Sequence, residues 1–166
     1  VDFFFFFPFF REGIYVEQNR DLCQIGKHNF DALNLRNITV KNDTSETFLQ
    51  TPFHAALIYL DPSRRDDDGR KVFRIEDCTP HVVELKALLL QKSDRVMIKF
   101  SPMLDISLAL KALANVSEVH IVSVDNECKE LLFLLSGNVT DCFFHAVNLK
   151  KNGEKQRFSY SSQDEQ

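Results

Sequence analysis

The sequence predicts an α/β fold built on a mainly parallel sheet. Two observations carry that reading. Short apolar runs of strand type, bounded by turn residues, recur along the chain, and segments with apolar residues at helical spacing lie between them. The two patterns alternate almost without exception, as they do when helices cross over between neighbouring parallel strands. The clearest run is Ala55 to Leu60, continuously apolar and of strand length, which stops at Asp61-Pro62. Pro62 cannot donate to a sheet ladder and biases Asp61 toward extended backbone, so the strand ends there with the carboxylate beyond it.

Taken in order, seven of the first ten residues are phenylalanine, broken by Pro8. Without alternation, Asp2 to Phe7 reads equally as helix or strand, and too apolar to stand uncovered. Gly13 opens a strand over Ile14 to Val16 that ends at Glu17. Asn19 is a good cap for an amphipathic helix from Arg20 to Leu33, with Leu22, Ile25, Phe30 and Leu33 at near-helical spacing. Asn37 to Lys41 is a second strand, Thr44 to Leu49 a short helix, and His54 to Leu60 a third strand. Asp61 to Cys78 reads as a long loop, with a strand turn at Lys71 to Ile75. Thr79 with Pro80 in the first turn opens a further helix through Leu89. A strand follows at Arg95 to Phe100, a helix at Asp105 to Leu113, a strand at Glu118 to Val124, a helix at Glu127 to Leu135, and a final strand at Asp141 to Leu149. The expectation is one domain over residues 1–149, with a polar linker or the start of a further unit over 150–166.

Composition narrows the function. With 166 residues, 44% hydrophobic and 27% charged, the chain has the make-up of a globular domain with a real core. No run approaches the roughly 18 apolar residues of a membrane span, and no secretion signal is visible, so a cytoplasmic protein without membrane contact is expected. Cys23, Cys78, Cys128 and Cys142 are far apart in the sequence and no histidine lies at metal spacing, so no metal is expected and the thiols read as reduced. A net charge of -4 opposes diffuse nucleic-acid binding, because phosphates need a positive field. Any such contact is local, and the candidate patch is Arg64, Arg65, Arg70, Lys71 and Arg74.

The residues that leave each strand are the candidate site. They are Glu17, then Asn42 and Asp43, then Asp61 with Pro62, then Ser101 with Pro102 and Asp105, then Asp125 with Glu127. In a parallel sheet these exits share the edge where ligands bind. Each has a plainer role as a cap or turn residue, and their joint placement argues for more. An acid at the exit of an early strand is where dinucleotide folds hold ribose hydroxyls, which makes Glu17 a candidate for an adenosine-containing ligand.

Four segments then carry a family resemblance: Asp61-Pro62-Ser63-Arg64-Arg65-Asp66, Asp77-Cys78-Thr79-Pro80, Lys99-Phe100-Ser101-Pro102-Met103-Leu104-Asp105, and Val122-Ser123-Val124 with Glu127-Cys128-Lys129-Glu130-Leu131-Leu132. Together with Val16-Glu17-Gln18 and Lys27-His28-Asn29-Phe30 they resemble the class I S-adenosylmethionine-dependent methyltransferases, closest to the bacterial group with a carboxyl-terminal THUMP-like domain. The resemblance runs to about Leu149. It implies a Rossmann-like sheet whose last strand is antiparallel, with the first strand and its glycine loop missing ahead of Val1. It also implies S-adenosylmethionine as cofactor and RNA as partner. By position, Glu17 would hold the cofactor ribose, Asp43 would approach adenine, and Asp61 with Pro62 would receive the target nitrogen. Arg64, Arg65, Ser101 and Asp105 would face the substrate. Ser63 and Arg64 stand where related amino-methyltransferases carry a second proline and an aromatic. A fragment of this kind is expected to bind cofactor weakly on its own. The rival readings are a noncatalytic nucleotide- or RNA-binding scaffold and a nicotinamide-dependent oxidoreductase.

Overall fold

A computed structural model describes residues 9–63 and 75–165. The chain divides into two compact units, Val1–Pro52 and Phe53–Gln166. No helix among the described residues is long and apolar enough to cross a membrane.

In the first unit, β1 (Gly13–Glu17) and β2 (Ile38–Asn42) pair in parallel, with Glu17 opposite Asn42. They are joined through α1 (Arg20–Ala32), which starts where the sequence places it. Asn19 caps it, its Oδ1 accepting from the Asp21 and Leu22 amides at 2.9 and 3.2 Å. The helix buries Cys23 and Phe30, and the Phe30 ring meets Tyr15 edge-on at 5.6 Å. Thr44 caps the short α2 (Ser45–Leu49), whose Leu49 is buried.

The second unit is a six-stranded mixed sheet in the order β3-β4-β6-β5-β7-β8. Its strands are β3 (Ile58–Leu60), β4 (Val96–Phe100), β5 (Val116–Val124), β6 (Glu127–Leu135), β7 (Phe143–Leu149) and β8 (Lys155–Ser161). Among the described residues two helices accompany it, α3 (Val82–Lys92) and α4 (Ile106–Leu113). The core is formed by Val96, Ile98 and Phe100 of β4, Leu131, Phe133 and Leu135 of β6, Val119 of β5, and the buried Val82, Leu89, Ala109 and Leu113 of the helices. Lys86 of α3 donates to the Leu113 carbonyl at 2.6 Å, satisfying a carbonyl at the end of α4 that has no partner within its own helix.

Several expectations change. Glu127 to Leu135 is a strand, not a helix. It runs antiparallel to both neighbours and separates β4 from β5. The reason lies in the two residues before it. Asp125 and Asn126 have φ of 49° and 67°, the pair of left-handed residues that a two-residue turn of type I′ requires. The six-stranded sheet is therefore mixed, with β3, β4, β5 and β7 running in one direction and β6 and β8 reversed. Asp141 to Leu149, expected as an antiparallel last strand, yields β7, which pairs parallel with β5. The antiparallel last strand is β8, and it comes from the segment read as a polar linker or the start of a further unit, paired with β7 from Phe143–Ser161 to Leu149–Lys155. The third strand is shorter than expected, three residues, because Ala55 makes only an isolated bridge to Ser93. Pro80 does not sit in the first turn of a helix. Thr79 bridges Ser63, the Thr79-Pro80 peptide is cis, and α3 begins at Val82. The expectations at Asp2 to Phe7 and over 71–74 lie outside the described residues; Ile75–Asp77 forms a 3-10 turn.

Candidate functional site at the strand exits

Within the first unit, Glu17 and Asp43 meet at the carboxyl edge of the β1–β2 pair. The Asp43 amide donates to the Glu17 carbonyl at 3.2 Å, and the Asn42 side-chain amide donates to the carbonyls of Glu17 and Gln18 at 2.9 and 2.8 Å. The Glu17 carboxylate is half-buried. Its Oε1 accepts from the Asn19 amide at 2.8 Å, just ahead of α1, and its Oε2 accepts from the Tyr15 hydroxyl at 3.5 Å. A carboxylate has about four lone-pair positions, so further hydroxyl donors can be accepted there. Burial, and next the Glu17 charge, pushes the Tyr15 hydroxyl above the usual phenol range, so Tyr15 stays protonated and a donor. Asp43 Oδ1 accepts from the Thr44 amide at 2.8 Å at the start of α2.

Within the second unit, β3, β4, β5 and β7 all run in one direction, so their exits lie along one edge. Asp61 leaves β3 opposite Lys99 of β4, and Lys99 Nζ lies 2.6 Å from Asp61 Oδ2. The Lys99 side chain is 21% exposed and the Asp61 side chain 51%, so the cation holds an acid whose face is open to solvent. Pro62 is buried. Ser63 is fixed by paired backbone bonds with Thr79 at 2.7 and 3.2 Å. Asp61 and Pro62 are thus anchored on both sides, by a side-chain ion pair and by a backbone bridge.

Other expected site residues have structural work. Asp105 caps α4, its Oδ1 accepting from the Leu108 amide at 3.0 Å. Ser101 Oγ accepts from the Met103 amide at 3.3 Å and shapes the turn after β4. That turn leaves Met103 70% exposed, an apolar surface next to the Asp61–Ser101 edge. Asp125 is a turn residue, its Oδ1 accepting from the Lys151 amide at 3.0 Å. Arg64 and Arg65 lie outside the described residues. Lys99 was missed by sequence reasoning. Its signal was a lone cation inside the apolar run Met97-Ile98-Lys99-Phe100, one strand residue before an exit.

No protein-family model and no curated protein matches the chain. Among solved structures it matches a "putative methyltransferase from Porphyromonas gingivalis W83" with a TM-score of 0.76 and 31% sequence identity. The match covers 93% of this chain and 39% of that one, so the chain spans about two-fifths of its neighbour's length. The chain therefore has a methyltransferase fold across nearly all of its residues.

Proposed function

We propose that this chain forms part of a Rossmann-like class I methyltransferase that uses S-adenosylmethionine to methylate RNA. The observation that carries the reading is the open Asp61 carboxylate at the exit of β3, held by Lys99 at 2.6 Å in a chain with a methyltransferase fold. The donor set suits the cofactor. Glu17 and Asp43 form one acceptor-rich strand edge, matched to the hydroxyls of a ribose and the amino group of an adenine. The cofactor supplies an electrophilic methyl group on a sulfonium sulfur. The protein's task is then alignment and electrostatics. Asp61 accepts a hydrogen bond from the incoming amino group and fixes its direction, and Lys99 holds that carboxylate in place. Arg64 and Arg65 in the sequence, next to Asp61, provide local positive charge for phosphate on a chain of net charge -4.

The test is transfer of a labelled methyl group to total RNA by the protein as encoded, compared with Asp61→Ala and Asp61→Asn. The expected loss is about a hundredfold for either variant, the scale of a misplaced acceptor, with circular dichroism unchanged. Transfer by Asp61→Ala at the unsubstituted rate would sink the proposal. A noncatalytic scaffold is the second reading, favoured by the structural bonds that already occupy Glu17, Asp105 and Asp125. Cofactor binding by calorimetry with no transfer to any RNA fraction would select it.

A further inference from the structure

We propose that Glu118, His120 and His145 form a binding site for a divalent transition-metal ion, Zn2+ by preference. The three come together through sheet register. Glu118 and His120 are two apart on β5 and share a face, opposite to the fully buried Val119. His145 of β7 is the parallel-register partner of His120. The two imidazole rings lie 4.8 Å apart between centroids, tilted by 33°. Both Nε2 atoms turn to one carboxylate oxygen: His120 Nε2 is 2.8 Å and His145 Nε2 3.7 Å from Glu118 Oε2. One donor atom from each residue falls within 4.8 Å of the others. A tetrahedral ion with bonds of about 2.0–2.2 Å sets its ligand atoms roughly 3.4 Å apart, inside that spread.

The surroundings fit a ligand set better than a casual ion pair. His145 Nδ1 lies 2.8 Å from Ser159 Oγ of β8, which fixes the ring and leaves Nε2 for a metal, the usual outer-shell arrangement of a ligating histidine. Side-chain exposures of 28% to 37% allow an ion to enter while limiting hydration of the donors. Two imidazoles and one carboxylate select Zn2+ and its neighbours over Mg2+ or Ca2+, which take oxygen ligands, and they leave a fourth position for water. Within the second unit the site is separate from the strand exits. His120 sits four residues before Val124, roughly 13 Å along the strand. The spacing of these histidines in sequence gives no metal pattern, because the match is made by strand pairing.

The test is calorimetric titration of the chelator-treated protein with zinc chloride, with the visible spectrum of the cobalt-substituted form as a second readout. One Zn2+ per chain is expected. His120→Ala, His145→Ala and Glu118→Gln each weaken it about a hundredfold or more, since losing even an outer-shell partner costs 10–100-fold. Ser159→Ala weakens it about tenfold, and His28→Ala leaves it unchanged. Zinc affinity equal in the histidine variants, or lost instead in Cys142→Ser, overturns the proposal, as does absence of saturable binding at micromolar zinc. Should the variants unfold, imidazole nitrogen resonances of the unsubstituted protein decide. Zinc must shift Nε2 of His120 and His145, and a titration that leaves both in place refutes the site.

Discussion

Replacing Asp125 separates backbone conformation from hydrogen bonding at the β5–β6 turn. Asp125 has φ 49° and its Oδ1 accepts from the Lys151 amide at 3.0 Å. Its Oδ2 is shielded from solvent and takes no hydrogen bond, lying 3.3 Å from Lys151 Nζ. That ammonium is 89% exposed, so the ion pair adds at most a few tenths of a kcal/mol. Asp125→Asn keeps the acceptor oxygen and tolerates left-handed backbone, so it should cost under about 1 kcal/mol. Asp125→Gly loses the hydrogen bond alone, about 1 kcal/mol. Asp125→Ala loses that bond and also holds a Cβ at positive φ, adding about 1–2 kcal/mol. The order of stability is therefore Asn above Gly above Ala, with about 2–3 kcal/mol between the original and Ala. At roughly 2–4 °C per kcal/mol for a chain of this size, Asp125→Ala lowers Tm by about 4–12 °C in a calorimetric scan. Equal stability of the Gly and Ala variants would refute the role assigned to the positive φ.

Other predictions follow from single contacts. Phe133→Ala removes a fully buried ring edge-on to Phe100 at 5.3 Å and should cost about 3–5 kcal/mol in urea unfolding; a loss under about 1 kcal/mol would show that the site collapses freely. Asp105→Ala should cost about 1 kcal/mol through the lost cap, and Asp105→Ser should recover most of it, whereas a role confined to substrate would leave both variants as stable as the original. Burial foremost, then the charges of Asp141 and Glu118, pushes the Cys142 thiol up, so its alkylation by iodoacetamide should rise only at pH above that of an ordinary thiol. Glu118→Gln removes a negative neighbour, lowers that midpoint and speeds the reaction at pH 8; a slower reaction would reverse the assignment.

The sequence made the local punctuation legible. Asn19 and Asp105 cap the helices they precede, and Asp61-Pro62 ends β3, because those signals act within a few residues. β6 was misread for a physical reason. Leu131 to Leu135 is continuously apolar, so neither the two-residue nor the 3.6-residue period shows, and only Asp125-Asn126 marked the hairpin. β8 escaped because it is an edge strand with mostly exposed residues. Its Tyr160, stacked on Phe144 at 4.8 Å, is one of few apolar anchors in a polar segment. At the site, Glu17 with Asp43 and Asp61 with Ser101 followed from the shared strand edge. The Lys99 pairing and the His120–His145 pairing depend on cross-strand register, which local pattern does not encode.

The reversed β6 also sets the order in which the protein can be assembled. β4 is complete at Phe100 and has β3 on one side, but its neighbour on the other side, β6, ends only at Leu135, about 35 residues later. At a synthesis rate of about 5–20 residues per second, the β4 edge stays open for roughly 2–7 seconds on the ribosome. The β5–β6 hairpin closes in about 1–10 microseconds once its residues have emerged, so it arrives as a preformed ribbon. Its docking seals β4, and the left-handed turn at Asp125-Asn126 thereby governs how promptly an exposed strand edge is withdrawn from other nascent chains.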